Sequence, residues 1–184
     1  KKINTETIFS MVRFGNVLGS SGSVIPLFKE QIRNGGPITL THENIYRYFM
    51  TIEEAANLVL QSSAFSKSSD LFLLDMGKPV SILNLAKQMI ILSGLKVKDK
   101  SNPKGDIEIK TIGLRNGEKL YEELLVEPDS TPTHHPLIYR AIEKNNPDES
   151  FWIKFKELEK TLIARDEINS LKNLKELVPE WEKF

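Results

Sequence analysis

Residues 12–28, VRFGNVLGSSGSVIPLF, constrain this chain more than any other stretch. They pass from an apolar, strand-like run through a Gly/Ser turn into a helical pattern. Gly15, Gly19 and Gly22 let the backbone turn sharply and come close to a ligand, and the N–H groups at the start of the following helix offer a cradle for an anion. The same residues also suit an ordinary strand-to-helix connection, because Gly/Ser loops are common punctuation.

The remaining periodicity predicts an α/β chain. Residues 7–14 are apolar and β-rich, as for a strand covered on both faces of a sheet. Val24, Leu27, Phe28 and Ile32 share one helical face, and Asn34-Gly35-Gly36-Pro37 ends that helix. Residues 38–41 and 46–50 read as strands. Thr51 then caps a helix with Ile52, Ala55, Ala56, Val59 and Leu60 turned inward, and residues 62–69 read as a loop. Residues 71–74 form a buried strand, and Ser81 caps a helix whose face is Ile82, Leu85, Ala86, Met89 and Ile90. After a charged loop at 96–105, a strand at 107–112 leads to a helix at 118–125. Beyond Pro128, a Pro/Thr/His segment precedes two helices. Phe151, Phe155, Leu158 and Leu162 stripe the first, and Ile168, Leu171, Leu174 and Val178 stripe the second, so an appended helical hairpin is expected.

Composition narrows the function classes. Lys+Arg and Asp+Glu balance at 25 each among 184 residues, so no global positive field draws in nucleic acid, and any anion site must be local. The chain has no cysteine, which removes disulfides, thiolate metal sites and cysteine nucleophiles and suits a cytoplasmic setting. No apolar run matches a membrane span, and the opening at Lys1 without a Met is expected of a piece of a longer protein. There is no Gly-x-Gly-x-x-Gly fingerprint and no P-loop, since the sole Gly-Lys pair, Gly77-Lys78, runs into Pro79. No Tyr is followed four residues later by Lys. His42, His134 and His135 lack metal-ligand spacing, so no metal site is expected.

Four ordered segments carry a further signal: residues 13–28, RYFMTIEEAA at 47–56, LDMG at 74–77 and GLRNGEKLYEEL at 113–124, with a tail ending LVPEW at 177–181. Together they resemble the polysaccharide-biosynthesis nucleotide-sugar dehydratases and related C4 epimerases, within the extended short-chain dehydrogenase/reductases. The resemblance implies that this chain is the C-terminal part of such a protein. Late Rossmann strands and a nucleotide-sugar-binding lobe would occupy residues 1–147, and a helical extension residues 148–184. The glycine-rich dinucleotide loop and the catalytic Tyr-x-x-x-Lys pair would belong to a preceding half, leaving no catalytic residue here.

By the same resemblance, Asn16 contacts the sugar or diphosphate, Arg47 and Arg115 grip the diphosphate, and Glu118 accepts from the ribose hydroxyls. Ile38 and Thr39 offer backbone groups to the uracil edge, and Phe14 and Gly15 lie beside the cofactor. Residue chemistry alone equally allows Asn16 to stabilise its turn, Arg47 to pair with Glu43 or Glu53, and Glu118 to complement a helix dipole. Asn116 stands where the family usually has proline. The implied partner is a UDP-sugar and the implied cofactor NAD or NADP, bound mostly by the other half. Homo-oligomerisation is expected of the full-length protein, as is a place on the cytoplasmic face of the membrane if it carries an anchor. In this family the cofactor takes hydride from C4 of the sugar, water leaves across C5 and C6, and hydride returns to C6. The implied activity is therefore a UDP-N-acetylhexosamine 4,6-dehydratase, with a C4 epimerase or a non-catalytic nucleotide-sugar-binding module as alternatives.

Overall fold

The computed structural model describes residues 7–20, 22–67, 69–122, 130–142, 148–179 and 181. The chain divides into two compact units, Lys1–Ile142 and Glu143–Phe184. In chain order the first unit contains β1 (Met11–Arg13), β2 (Asn16–Val17), α1 (Val24–Arg33), β3 (Ile38–Leu40), β4 (Tyr46–Arg47), β5 (Phe49–Met50) and α2 (Ile52–Phe65). It continues with β6 (Leu71–Leu74), β7 (Val80–Ser81), α3 (Ile82–Leu92), β8 (Val97–Lys98), β9 (Ile107–Thr111), β10 (Thr131–Pro132) and β11 (Ile138–Arg140). The second unit holds α4 (Glu149–Ile163) and α5 (Glu167–Leu177), which pack against each other as a helical hairpin. The fold is mixed α/β. Among the described residues, no helix is long and apolar enough to cross a membrane.

Two sheets organise the first unit. One runs β1-β6-β11-β10, with β1 parallel and β11 antiparallel to β6. The other is a parallel set, β3-β9-β8, with Ile38 opposite Ile109 and Val97 opposite Ile107. Short pairs, β2 with β5 and β4 with β7, link the two regions. Each sheet has its own core. Phe28 and Ile32 of α1 meet Ile38, Leu40 and Ile107, closed over by Ile82, Ala86 and Ile90 of α3. Ala55 and Leu58 of α2 meet Phe72, Leu74, Met50 and Ile138. All four residues of β6 are buried, as its unbroken apolar run requires.

Local chemistry explains the element ends. Gly35 and Gly36 take φ of 83° and 80°, which stops α1 in a conformation that other residues reach only with strain. At the start of α2, the Thr51 hydroxyl accepts from Glu54 N–H at 3.1 Å while the Glu54 carboxylate accepts from Thr51 N–H at 2.8 Å. This reciprocal capping box satisfies two orphan donors at once.

Several elements depart from the sequence expectation. The strand expected over 7–14 shortens to β1, and it is not covered on both faces: Met11 and Phe9 are 56% and 71% exposed. Among the described residues β1 pairs only with β6, so it is an edge strand. The strand expected over 46–50 is two, because β4 pairs with β7 and β5 with β2. Helix α2 runs to Phe65 through the expected loop, and its buried line is Ala55, Leu58 and Ser62, leaving Ile52 and Leu60 exposed. Ser62 can be buried because its hydroxyl donates to Val59 O at 2.8 Å within the helix. Residues 118–122 are not helical, and 123–125 lie outside the described residues. The Leu120 carbonyl, which a helix would reserve for its own next turn, instead accepts from Tyr46 N–H at 3.0 Å. The Pro/Thr/His segment contributes the hairpin β10–β11.

In the second unit, Asp148 and Asp166 cap α4 and α5 by accepting from the N–H groups of Phe151 and Asn169. The expected stripes are only partly covered: Leu158, Leu171 and Leu174 are half-buried, while Phe155, Leu162, Ile168 and Val178 remain exposed.

Three outcomes follow for stability. A Cβ on Gly105 would strike the Val97 carbonyl and sit 2.6 Å from Lys98 Cα, both backbone. Gly105→Ala should therefore cost about 2 kcal/mol or more in urea unfolding. Thr51→Ala should cost about 1 kcal/mol through loss of the cap. The Thr51 backbone N–H, followed by its hydroxyl, holds the Glu54 carboxyl below the usual glutamate range. A depressed carboxyl stabilises the fold above its unfolded-state pKa and loses that contribution as pH falls through its folded value. Glu54→Gln should accordingly flatten the acid side of the melting-temperature profile relative to the unsubstituted chain.

Candidate functional site

A cleft of about 410 Å³ opens in the first unit where the start of α1, the end of β3, strand β4 and the loop after β9 converge. Its construction begins with the Gly/Ser turn. Asn16 N–H donates to Tyr48 O at 3.1 Å and Leu18 N–H to Met50 O at 2.9 Å, which fastens β2 beside β5. The chain then turns through Gly19 and Gly22, at φ of 75° and 73°, so that α1 points its N-terminus into the cleft. Ser23 is the N-cap residue of α1, yet its side chain makes no capping bond. Its hydroxyl oxygen is buried and has no hydrogen-bond partner among the described residues. Pro26 has no N–H for Ser23 to cap, so the unpartnered hydroxyl lies beside only the first-turn N–H groups of Val24 and Ile25, a small polar wall that suits an anion.

The second wall is the end of β3. Thr39, Leu40 and Thr41 line the cleft. Leu40 O accepts from Ile112 N–H at 2.7 Å, so alternation along the ladder turns the backbone groups of Leu40 and Ile38 toward β9 and those of Thr39 outward. The Thr39 N–H is already taken by Gln31 Oε1 at 3.0 Å, and Gln31 Nε2 donates to the Thr39 hydroxyl at 2.7 Å. The outward Thr39 carbonyl is what this residue can offer a ligand.

Charge is concentrated on the third wall. Arg47 is 14% exposed; its Nη1 donates to Tyr46 O at 2.8 Å and approaches Leu120 O at 3.4 Å. Its Nη2 lies 3.6 Å from Glu118 Oε1, and its Nε 3.2 Å from Glu122 Oε1. The Glu118 carboxylate also accepts from the Thr41 hydroxyl at 2.9 Å and from Arg115 N–H at 3.1 Å. Stacking of Tyr121 on Tyr46, 5.3 Å between ring centroids, holds the same segment down. The Arg115 guanidinium is exposed and makes no ion pair among the described residues.

Of the residues singled out in the sequence, Asn16, Thr39, Arg47, Arg115 and Glu118 all line this cleft, although up to 102 positions separate them. Ile38 does not: its side chain is fully buried in the core. Phe14 and Gly15 also lie off the cleft, and the Gly15 N–H faces Met76 Sδ. The Asn16 side chain forms no intramolecular hydrogen bond among the described residues, so it does not brace its own turn. Arg47 pairs with Glu118 and Glu122 and not with Glu43 or Glu53. Sequence reasoning missed Thr41, Gln31 and Glu122. Only the position of Thr41 at the end of a predicted strand could have suggested the first. Among the described residues no group of three or more histidine and carboxylate side chains converges as for a metal ion.

Comparison with known proteins places these features in a family. The sequence profile of a family described as polysaccharide biosynthesis protein matches residues 1–143. Over 167 residues the chain is 50% identical to the capsular polysaccharide biosynthesis protein CapD of Staphylococcus aureus, an alignment covering 91% of this chain and 25% of CapD. It is 34% identical over 166 residues to the UDP-glucose 4-epimerase of Rickettsia canadensis, covering 90% of this chain and 45% of the epimerase. The X-ray structure of Pen from Bacillus thuringiensis matches with a TM-score of 0.63 at 36% identity, covering 76% of this chain and 41% of Pen. The chain thus spans between a quarter and a half of the length of these relatives. With the profile running through both sheets and every wall of the cleft, the chain belongs to the polysaccharide biosynthesis protein family.

Proposed function

We propose that the cleft binds a UDP-linked sugar, and that the chain is the substrate-binding part of a nucleotide-sugar-modifying enzyme of surface polysaccharide synthesis. The observation that carries this reading is the convergence of Arg115, Arg47, Ser23 and the N-terminus of α1 on one cleft of a chain with no net charge. A diphosphate suits such a site: it offers several oxygens to N–H donors and negative charge to the exposed Arg115 guanidinium. Arg115 is the grip that stands ready, because its guanidinium has no competing carboxylate among the described residues. Glu118, held by Thr41 and the Arg115 backbone, is positioned to accept from vicinal hydroxyls of a ribose. The outward Thr39 carbonyl suits the N3–H of a uracil. Asn16, whose side chain makes no hydrogen bond among the described residues, lines the cleft where a sugar would extend beyond the diphosphate.

Gly15 presents its N–H to Met76, and Phe14 lies outside the cleft. In keeping with the resemblance, we assign NAD or NADP to the longer protein, and no step of hydride chemistry to these residues. Binding and orientation are their part. For the whole protein we favour a 4,6-dehydratase acting on a UDP-N-acetylhexosamine. A C4 epimerase is the second reading, supported by the similarity to a relative named as a UDP-glucose 4-epimerase.

Calorimetric titration tests the binding reading. UDP should bind more tightly than uridine, and Arg115→Ala should weaken UDP by roughly tenfold or more, the loss of a charge-assisted contact, while leaving uridine unchanged. Equal binding of UDP by the variant would overturn the role of Arg115. A second outcome concerns chemistry: this chain alone, given UDP-N-acetylglucosamine and NADP, should yield no 4-keto-6-deoxy product by mass spectrometry. Product formation would show that the reacting groups lie within these 184 residues after all.

A further inference from the structure

The bidentate edge of a guanidinium, formed by Nε and one Nη, is the face that takes two oxygens of a phosphate. In Arg47 that edge is already met by two oxygens, Glu122 Oε1 at Nε and Glu118 Oε1 at Nη2, one from each of two carboxylates. The other nitrogen, Nη1, is committed to the carbonyls of Tyr46 and Leu120. Glu118, which lines the cleft, and Glu122, which is not among its lining residues but meets Arg47 from Nε, thus hold the edge of Arg47 that two oxygens of an anionic ligand would take.

These two carboxylates are not equivalent. Glu118 is fixed from three directions, by the Thr41 hydroxyl, the Arg115 N–H and Arg47, and its side chain is 20% exposed. Glu122 is 46% exposed, and its described contact is Arg47 Nε alone. A solvated pair of this kind is held weakly and exchanges readily for a better-placed anion. We infer that Glu122 is a displaceable resident counter-ion, one that keeps Arg47 neutralised until a phosphate oxygen takes its place and that thereby sets the affinity of the cleft for anions. This rests on the diphosphate reading above and adds to it a residue that acts against binding. Two consequences follow. An anion must compete with Glu122, so removing that charge strengthens binding. The gain grows with the charge of the ligand and vanishes for a neutral one, because it is a Coulomb effect.

The test titrates UDP and uridine into the unsubstituted chain and into Glu122→Gln, with Glu122→Ala as a second variant. Both substitutions fall on a half-exposed side chain, and thermal melting checks that each variant is folded. Glu122→Gln should tighten UDP by roughly three- to tenfold, the range expected from relieving a partly screened like charge, and leave uridine unchanged. Unchanged or weaker UDP binding in both variants would overturn the inference. So would an equal gain for uridine, which would place the effect away from the anion. If the unsubstituted chain shows no preference for UDP over uridine, the diphosphate reading itself fails and takes this inference with it. That pattern is distinct from the other two.

Discussion

The carbonyl of Leu120 and the guanidinium of Arg47 fasten residues 115–122 onto strand β4, and the cleft exists because of that fastening. Tyr46 N–H and Arg47 Nη1 both reach the same carbonyl, Tyr121 stacks on Tyr46, and Glu118 and Glu122 lie against Arg47. A net hydrogen bond contributes about 1 kcal/mol, and the half-exposed pair of Arg47 with Glu122 less. Their effect is geometric. They place Arg115 and Glu118 opposite the start of α1, and they do so only while β4 is held in register with β7 and β3 is packed beneath α1 and α3. This wall of the cleft therefore depends on a core that it does not itself belong to.

The fold was legible in the sequence wherever one local signal sufficed. Continuous apolar residues marked β6, Gly35-Gly36 marked the end of α1, and Thr51 with Glu54 marked the start of α2. Legibility failed where a long-range partner outbid local preference. Residues 118–122 have a helical composition, but Tyr46 claims the carbonyl that the helix would need. In α2 the buried line passes through Ser62, a residue whose polarity is hidden by a bond to its own helix, so a search for apolar spacing chooses the wrong face. Residues 46–50 read as a single strand because nothing in their composition records that β4 and β5 serve different partners.

The site was legible by a different route. Asn16, Arg47, Arg115 and Glu118 were brought forward by ordered motifs, and the structure brings them to one cleft. Composition and periodicity alone left each of them an ordinary alternative. What motifs could not convey is the state of each group. Nothing in the sequence distinguishes Arg47, whose donors are committed to its own chain, from Arg115, whose guanidinium has no described partner. Nor does it reveal that the Thr39 N–H is occupied by Gln31, so that its carbonyl is the group left facing outward.

If the cleft takes a diphosphate as proposed, these differences explain how a chain with equal numbers of acidic and basic residues can present an anion site. Two arginines brought close together without counter-charges would repel each other and burden the fold. Placing Glu118 between Arg47 and the Arg115 backbone removes that burden permanently, because the carboxylate is held on three sides. Glu122 removes the remainder from a more exposed position, with one described contact. The fixed carboxylate suits a role in recognition and the loosely held one a role in neutralisation. On the diphosphate reading proposed above, the cleft stays close to neutral in the free protein while Arg115, with no ion pair among the described residues, and the start of α1 remain to attract a phosphate, so local asymmetry among four charged side chains would do the work that net charge does in a basic protein.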